Sequence, residues 1–106
     1  MPELTELFAS LPRLKVVAFL DGCSTAEFGT VTELCDLNKS TLSKAMTVLE
    51  AAGHVTITKG YVGRRPKTWL ALTESGRKAY HEHLAALTAL TRTARDNHDG
   101  IPSGST

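Results

Sequence analysis

Between Leu42 and Ala52 the apolar residues Leu42, Ala45, Met46, Leu49 and Ala52 recur three or four positions apart, which is one stripe of a helix with 3.6 residues per turn. Asn38 stands where an N-cap belongs and Gly53 where a left-handed terminator belongs, so the spacing predicts a helix over about Lys39 to Ala52. Its opposite side carries Ser40, Lys44, Thr47 and Ala51, flanked by Ser43 and Val48. That face is small, hydroxylic and singly basic, and nothing bulky blocks close approach to it. The period then changes. His54 to Lys59 alternates Val55 and Ile57 against Thr56 and Thr58, and Thr68 to Leu72 alternates Trp69 and Ala71 against Leu70 and Leu72, the two-residue repeat of half-buried strands. The nine residues Lys59 to Lys67 hold two glycines, one proline and four cations. They are expected to form the flexible basic tip of a hairpin.

Around this centre the pattern predicts further helices. Leu4, Leu7, Phe8 and Leu11 share a side of a first short helix over Pro2 to Ser10, and Pro12 starts a second that ends at Gly22. Gly22 to Gly29 reads as a loop containing Cys23, and Phe28 to Thr30 as a token strand that pairs with the hairpin. Thr30 and Glu33 have the spacing of a capping box, which predicts a helix from Val31 to about Leu37. A last helix is expected from Thr73 to about Ala94, striped near heptad spacing by Tyr80, Leu84, Leu87, Leu90 and Ala94. The stripe continues for several turns beyond what one small core covers, so a twin helix is its expected partner. The first helix, through Leu4, Leu7 and Phe8, is expected to join that interface. Residues 96–106 are polar and rich in Gly and Ser, and are expected to form a disordered tail to a single domain over 1–95.

Charge changes the picture by its distribution. The 106 residues carry a net charge of only +1. Residues 1–37 hold two cations and six acids, whereas residues 38–80 hold eight cations and two acids. Phosphate binding depends on the local patch, and the cations concentrate where the capped helix and the hairpin would meet a backbone.

Four phrases, in order, carry a resemblance. They are Thr30-Val31-Thr32-Glu33-Leu34, Leu37-Asn38-Lys39-Ser40-Thr41-Leu42-Ser43, Leu49-Glu50-Ala51-Ala52-Gly53-His54-Val55 and Leu72-Thr73-Glu74-Ser75-Gly76-Arg77. Over roughly residues 12–90 the chain resembles the winged helix-turn-helix domain of small bacterial transcription regulators of the MarR and ArsR kind. The resemblance implies an α+β, mostly α fold, with a two-stranded hairpin wing and a long C-terminal helix. It also implies a homodimer that sets the Lys39 to Ala52 helices in successive major grooves of a roughly palindromic duplex DNA site. A repressor acting by promoter blockage is the simplest such regulator. The chain is shorter than full-length MarR-type proteins, and a pocket for an unidentified small-molecule effector would lie between the dimer helices and the reading domain.

On that reading Ser43, Lys44 and Thr47 are the candidates for base edges, since hydroxyls donate or accept and Lys donates to guanine. Asn38, Lys39, Ser40 and Thr41 are expected to meet phosphates at the helix start. In the wing, Lys59 and Tyr61 enter the contact surface, Arg64 reaches the minor groove, and Arg65 and Lys67 hold phosphate.

Other function classes fit the sequence less well. A winged helix serving as a protein-interaction module has no reason to keep Lys59, Arg64, Arg65 and Lys67 together. Cys23 and Cys35 form no CxxC pair, and Leu34 and Cys35 are expected in the core. His81 and His83, two apart on a helix, point about 200° apart and do not chelate one ion. No metal or cofactor is therefore expected, and redox control through Cys23 would require a lowered thiol pKa. No phosphate loop or nucleophile motif is present, which argues against an enzyme. The chain has no apolar run of about 18 residues and an acidic rather than cationic start, so a cytoplasmic protein without membrane contact is expected.

Overall fold

The computed structural model describes residues 4–100, with side chains to residue 97. Its first helix, α1 (Leu11–Asp21), starts where Ser10 accepts from the Arg13 backbone N–H and Pro12 occupies the first turn. Val16, Val17 and Leu20 are fully buried along it. The helix expected over Pro2 to Ser10 is instead a single 3₁₀ turn, Glu6–Phe8. Thr5 caps that turn and Ser10 caps α1; two N-caps five residues apart leave room for one turn only. Pro2 and Glu3 of the expected helix lie outside the described residues.

The token strand falls two residues earlier than expected. β1 (Ala26–Glu27) pairs antiparallel with the later strand at Leu70 and Trp69, and Phe28 already opens α2 (Phe28–Leu34). The Thr30–Glu33 capping box does not form, because pairing of Ala26 and Glu27 brings the chain into the helix early and leaves Thr30 inside it. Glu27 is the N-cap, without a side-chain cap bond. α2 ends before Leu37: Asp36 takes a left-handed φ of 53°, a conformation its short polar side chain tolerates. Leu37 N–H then donates back to the Thr32 carbonyl at 2.9 Å.

α3 (Lys39–Ala51) follows the expected stripe closely. Asn38 Oδ1 accepts from Thr41 N–H at 2.7 Å, and Leu42, Ala45, Met46 and Leu49 are buried. Ala52, at the end of the stripe, is exposed, since the chain leaves the helix there and turns through Gly53 at φ 79°.

β2 (Val55–Val62) and β3 (Arg65–Leu72) form a longer hairpin than the alternation predicted. They pair from Val55↔Leu72 to Val62↔Arg65, so the nine-residue loop contracts to a two-residue turn, Gly63-Arg64. Gly63 has φ 64° while Arg64 stays negative, the backbone pattern of a II′ turn, whose twist matches that of the strands. The sheet order is β1-β3-β2.

α4 (Glu74–Gly100) is capped by Thr73, whose Oγ1 accepts from Gly76 N–H at 2.9 Å. It runs past Ala94 through residues 96–100, which were expected in the tail; residues 101–106 lie outside the described residues. A helix already nucleated propagates through weak formers such as Asp96 and Asn97 at little cost. One core joins all of these elements: Phe8, Leu20, Val31, Leu42, Leu49 and Leu70 are its centre.

Candidate nucleic-acid interface

The exposed side of α3 is built as its sequence implied. Asn38, Lys39, Ser40, Ser43, Lys44 and Thr47 are exposed, and Thr41 is half-buried. Two of the polar groups are already committed. Asn38 Oδ1 holds the Thr41 N–H, which leaves its amide N–H₂ to donate. Thr47 Oγ1 donates to the Ser43 carbonyl at 3.0 Å, so towards a base Thr47 presents acceptor lone pairs.

Hollows flank α3 on two sides. Towards the sheet, a groove of about 330 Å³ is rimmed by Ser43, Thr47, Lys59 and Thr68 and floored by apolar side chains including Phe28 and Ile57. Towards α1, a hollow of about 200 Å³ is lined by Ser10, Pro12, Arg13, Thr41 and Lys44. The candidates on α3 are thus divided: Ser43 and Thr47 border the wing groove, Thr41 and Lys44 the α1 side.

Strand alternation divides the wing as well. Lys59↔Thr68 and Tyr61↔Pro66 continue the face of Ile57 and Leu70, which packs towards the helices, whereas Gly60↔Lys67 and Val62↔Arg65 share the opposite face with Trp69. Trp69 lies over Gly60, where an added Cβ would come within 3.2 Å of the indole. On that far face Lys67 Nζ is paired with Glu27 Oε1 at 3.1 Å. Tyr61 is 74% exposed at the end of the near face, and Arg64 occupies the turn itself. The geometry brings Lys59 to Ser43 and Thr47, places Arg65 and Lys67 on the other side of the sheet, and ties Lys67 to a carboxylate. Sequence reasoning missed Glu27, Thr68 and Arg13, which meet these residues only through long-range folding.

The residues expected at a dimer interface separate into two groups. Leu4, Leu84, Leu87 and Leu90 are exposed. Leu7 and Tyr80 pack against the chain's own core, and Phe8, 2% exposed, lies within it, its ring edge-on to Tyr80 and His83. Phe8 therefore has no surface left for a partner.

Of the titratable groups, His83 is buried and its Nδ1 accepts from Thr5 N–H at 3.2 Å. His81 faces away and bonds Asp21 at 3.1 Å. Arg77 also donates to Asp21, at 2.6 Å to the carboxylate. The His81 hydrogen bond first, then the charges of His81 and Arg77, hold the Asp21 carboxyl below its ordinary range against the opposing effect of burial. Both cysteines are free thiols; Cys35 is buried, and its desolvation pushes the thiol pKa up. Leu34, expected in the core beside Cys35, is 66% exposed, because α2 ends at Leu34 and turns it outward. Among the described residues no three His, Cys, Asp or Glu side chains come together as a metal site, and no helix is long and apolar enough to cross a membrane.

Comparison with known proteins bears on this geometry. Residues 12–91 match the family model of a winged helix DNA-binding domain. An uncharacterised protein of Methanocaldococcus jannaschii is 29% identical over 87 residues, covering 82% of this chain and 95% of its own. Among solved structures, a transcriptional regulator homologue from Pyrococcus horikoshii OT3 superposes with a TM-score of 0.78 at 26% identity, covering 85% of this chain and 89% of its own. A MarR-family transcriptional regulator from Silicibacter pomeroyi gives 0.61 at 23% identity, with 91% and 75% covered.

Proposed function

This chain belongs to the winged helix DNA-binding domain family, with the fold of MarR-type transcriptional regulators, and we propose that it is a sequence-specific repressor acting as a homodimer on a roughly palindromic operator. The observation that carries this reading is the continuity of the exposed hydroxylic face of α3 with Lys59 of the wing across one shared groove. A major groove admits a helix presented this way. Ser43 and Thr47 read base edges from the groove side, with Thr47 accepting from a base amino group. Asn38, Lys39 and Ser40 hold phosphate at the start of α3, and Arg64, at the turn of the hairpin, reaches the adjacent minor groove.

Dimerisation uses the exposed leucines of α4, Leu84, Leu87 and Leu90, with Leu4 beside them. Two-fold symmetry then places the two α3 helices about 34 Å apart, one turn of the duplex. A small-molecule effector seated between the dimer helices and the reading domain would act by shifting this separation. Repression follows from occupying a promoter, and the protein works in the cytoplasm, where DNA is reached.

The test is fluorescence anisotropy on a duplex selected from a randomised pool and on its scrambled counterpart, at about 150 mM salt to suppress nonspecific phosphate binding. Wild type should prefer the selected duplex, and Arg64→Ala/Arg65→Ala should lose most of the affinity. Failure to bind any duplex even at low salt overturns the reading in favour of a protein-interaction module.

A further inference from the structure

We propose that the hollow between α1 and α3 is a second DNA-backbone site, in which Arg13 and Lys44 grip one phosphate with help from the hydroxyls of Ser10 and Thr41. The inference rests on the DNA-binding reading above and extends it to a surface that the recognition helix and wing do not account for.

The hollow measures about 200 Å³, and its lining contains two cations, two hydroxyls and no carboxylate. The cations stand 31 residues apart in the chain, one of them in the acidic N-terminal part. Among the described residues neither Arg13 nor Lys44 has an acidic partner, although Lys67 and Arg77 each find one. Two like charges that line one concavity repel each other, and an anion between them reverses the sign of that interaction.

Arg13 is also held in place. Its Nε donates to the Leu7 carbonyl at 2.6 Å, which fixes the guanidinium plane and leaves both terminal nitrogens without a protein acceptor among the described residues. A fork fixed in advance loses less entropy on gripping an oxyanion than a free side chain does. Ser10 Oγ accepts from the Arg13 N–H at 3.5 Å, so its own proton remains to donate.

Position decides the occupant. Thr41 and Lys44 belong to the exposed N-terminal half of α3, and they border this hollow on the side away from Ser43 and Thr47. When Ser43 and Thr47 face base edges, the strand that walls that side of the groove passes over the hollow. Lys44 is then a positioning residue on the backbone rather than a reader of guanine.

The experiment compares wild type, Arg13→Gln, Lys44→Gln, the double variant and Arg13→Lys on the selected and scrambled duplexes across a salt series. Losing one phosphate contact per protomer, two per dimer, should make the slope of log K against log[salt] shallower by about 1.8, and weaken binding about thirtyfold at 0.15 M salt. The loss should be equal on both duplexes, the double variant should lose little more than either single one, and Arg13→Lys should recover the slope. Circular dichroism melts identify any variant that is unfolded, and NMR of the Arg13 Nε–H in wild type should show a shift with duplex but none with millimolar inorganic phosphate. A wild type that binds DNA while Arg13→Gln keeps its affinity and slope overturns the backbone site alone. A change of sequence preference in Lys44→Gln returns Lys44 to base reading, and a shift with inorganic phosphate alone makes the hollow a free-anion site. If wild type binds no duplex, the DNA reading falls and this site with it.

Discussion

Gly76→Ala should destabilise the protein, although helix propensity alone predicts the reverse. The first turn of α4 passes directly over the end of α3. Thr73 N–H donates to the His54 carbonyl at 2.9 Å, and Thr73 Oγ1 donates to the Gly53 carbonyl at 2.8 Å. A methyl group on Gly76 would fall 2.1 Å from His54 O and 2.9 Å from Leu72 Cδ1. The nearer atom is backbone, so relief requires moving the helix by about 1 Å. That displacement breaks the two Thr73 bonds, at about 1 kcal/mol each, and overpacks the junction by about 1–3 kcal/mol. Replacing a helical glycine by alanine returns about 1 kcal/mol. The net loss is about 2–4 kcal/mol, and a chain of this size should melt at least about 8 °C lower. The assay is a circular dichroism melt of both proteins at equal concentration, which removes the effect of dimerisation on Tm. An alanine variant that melts at or above wild type would show that the close approach has no energetic weight, and would refute the reasoning.

Three other outcomes are expected. Glu27→Gln releases Lys67 in each protomer and should steepen the salt dependence of DNA binding by the dimer by about 1.8 in slope. Its effect on stability should stay under about 1 kcal/mol, because both partners are about one-third exposed, and an unchanged slope would show that Lys67 does not reach phosphate. Asp21 has a depressed folded pKa, so its contribution is fully present above the unfolded value of 3.8 and is lost as pH falls through the lower folded value. Asp21→Asn should therefore have a flatter stability profile than wild type between about pH 5 and pH 2; parallel profiles would refute the link. Wild type should sediment as a dimer at micromolar concentration and Leu84→Asp/Leu87→Asp as a folded monomer, whereas a monomeric wild type would remove the α4 interface.

What was legible in the chain was what local chemistry decides. The stripe from Leu42 to Leu49, the Asn38 cap and the Gly53 exit are each set within a few residues, and α3 is in its expected place. The strands were found but cut short, because Gly60 and the run of cations interrupt the alternation that identifies a strand, while the pairing of Tyr61 with Pro66 is a property of two segments at once. The Thr30–Glu33 pattern misled for the same reason: a capping box is local, and a strand pairing forty residues away overrode it. Leu34 shows the limit of apolar pattern, which marks a residue as fit for burial but does not show that another element arrives to cover it. Lys67 looked like a phosphate ligand, and only the fold reveals Glu27 beside it.

The Lys67–Glu27 pair alters how the charge of the chain should be counted. Residues 38–80 contain eight cations, and if each met a phosphate, a dimer would show a salt slope of about −14. The fold removes Lys67 and Arg77 by pairing them with Glu27 and Asp21, and Lys78 lies on α4 beside Glu74, away from both hollows that flank α3. It adds Arg13 from the acidic segment, on the same hollow as Lys44. On the proposed reading Lys39, Lys59, Arg64 and Arg65 remain as phosphate contacts, with the Arg13–Lys44 pair on one phosphate. Five contacts per protomer would set a limit of about −9 for a dimer. A measured slope well beyond that limit would mean that Lys67 leaves Glu27 on binding, and Glu27→Gln would then produce no further steepening. A slope within it would make the paired carboxylates part of the proposed interface, where they would hold down nonspecific affinity while the hydroxyls of α3 would select the sequence.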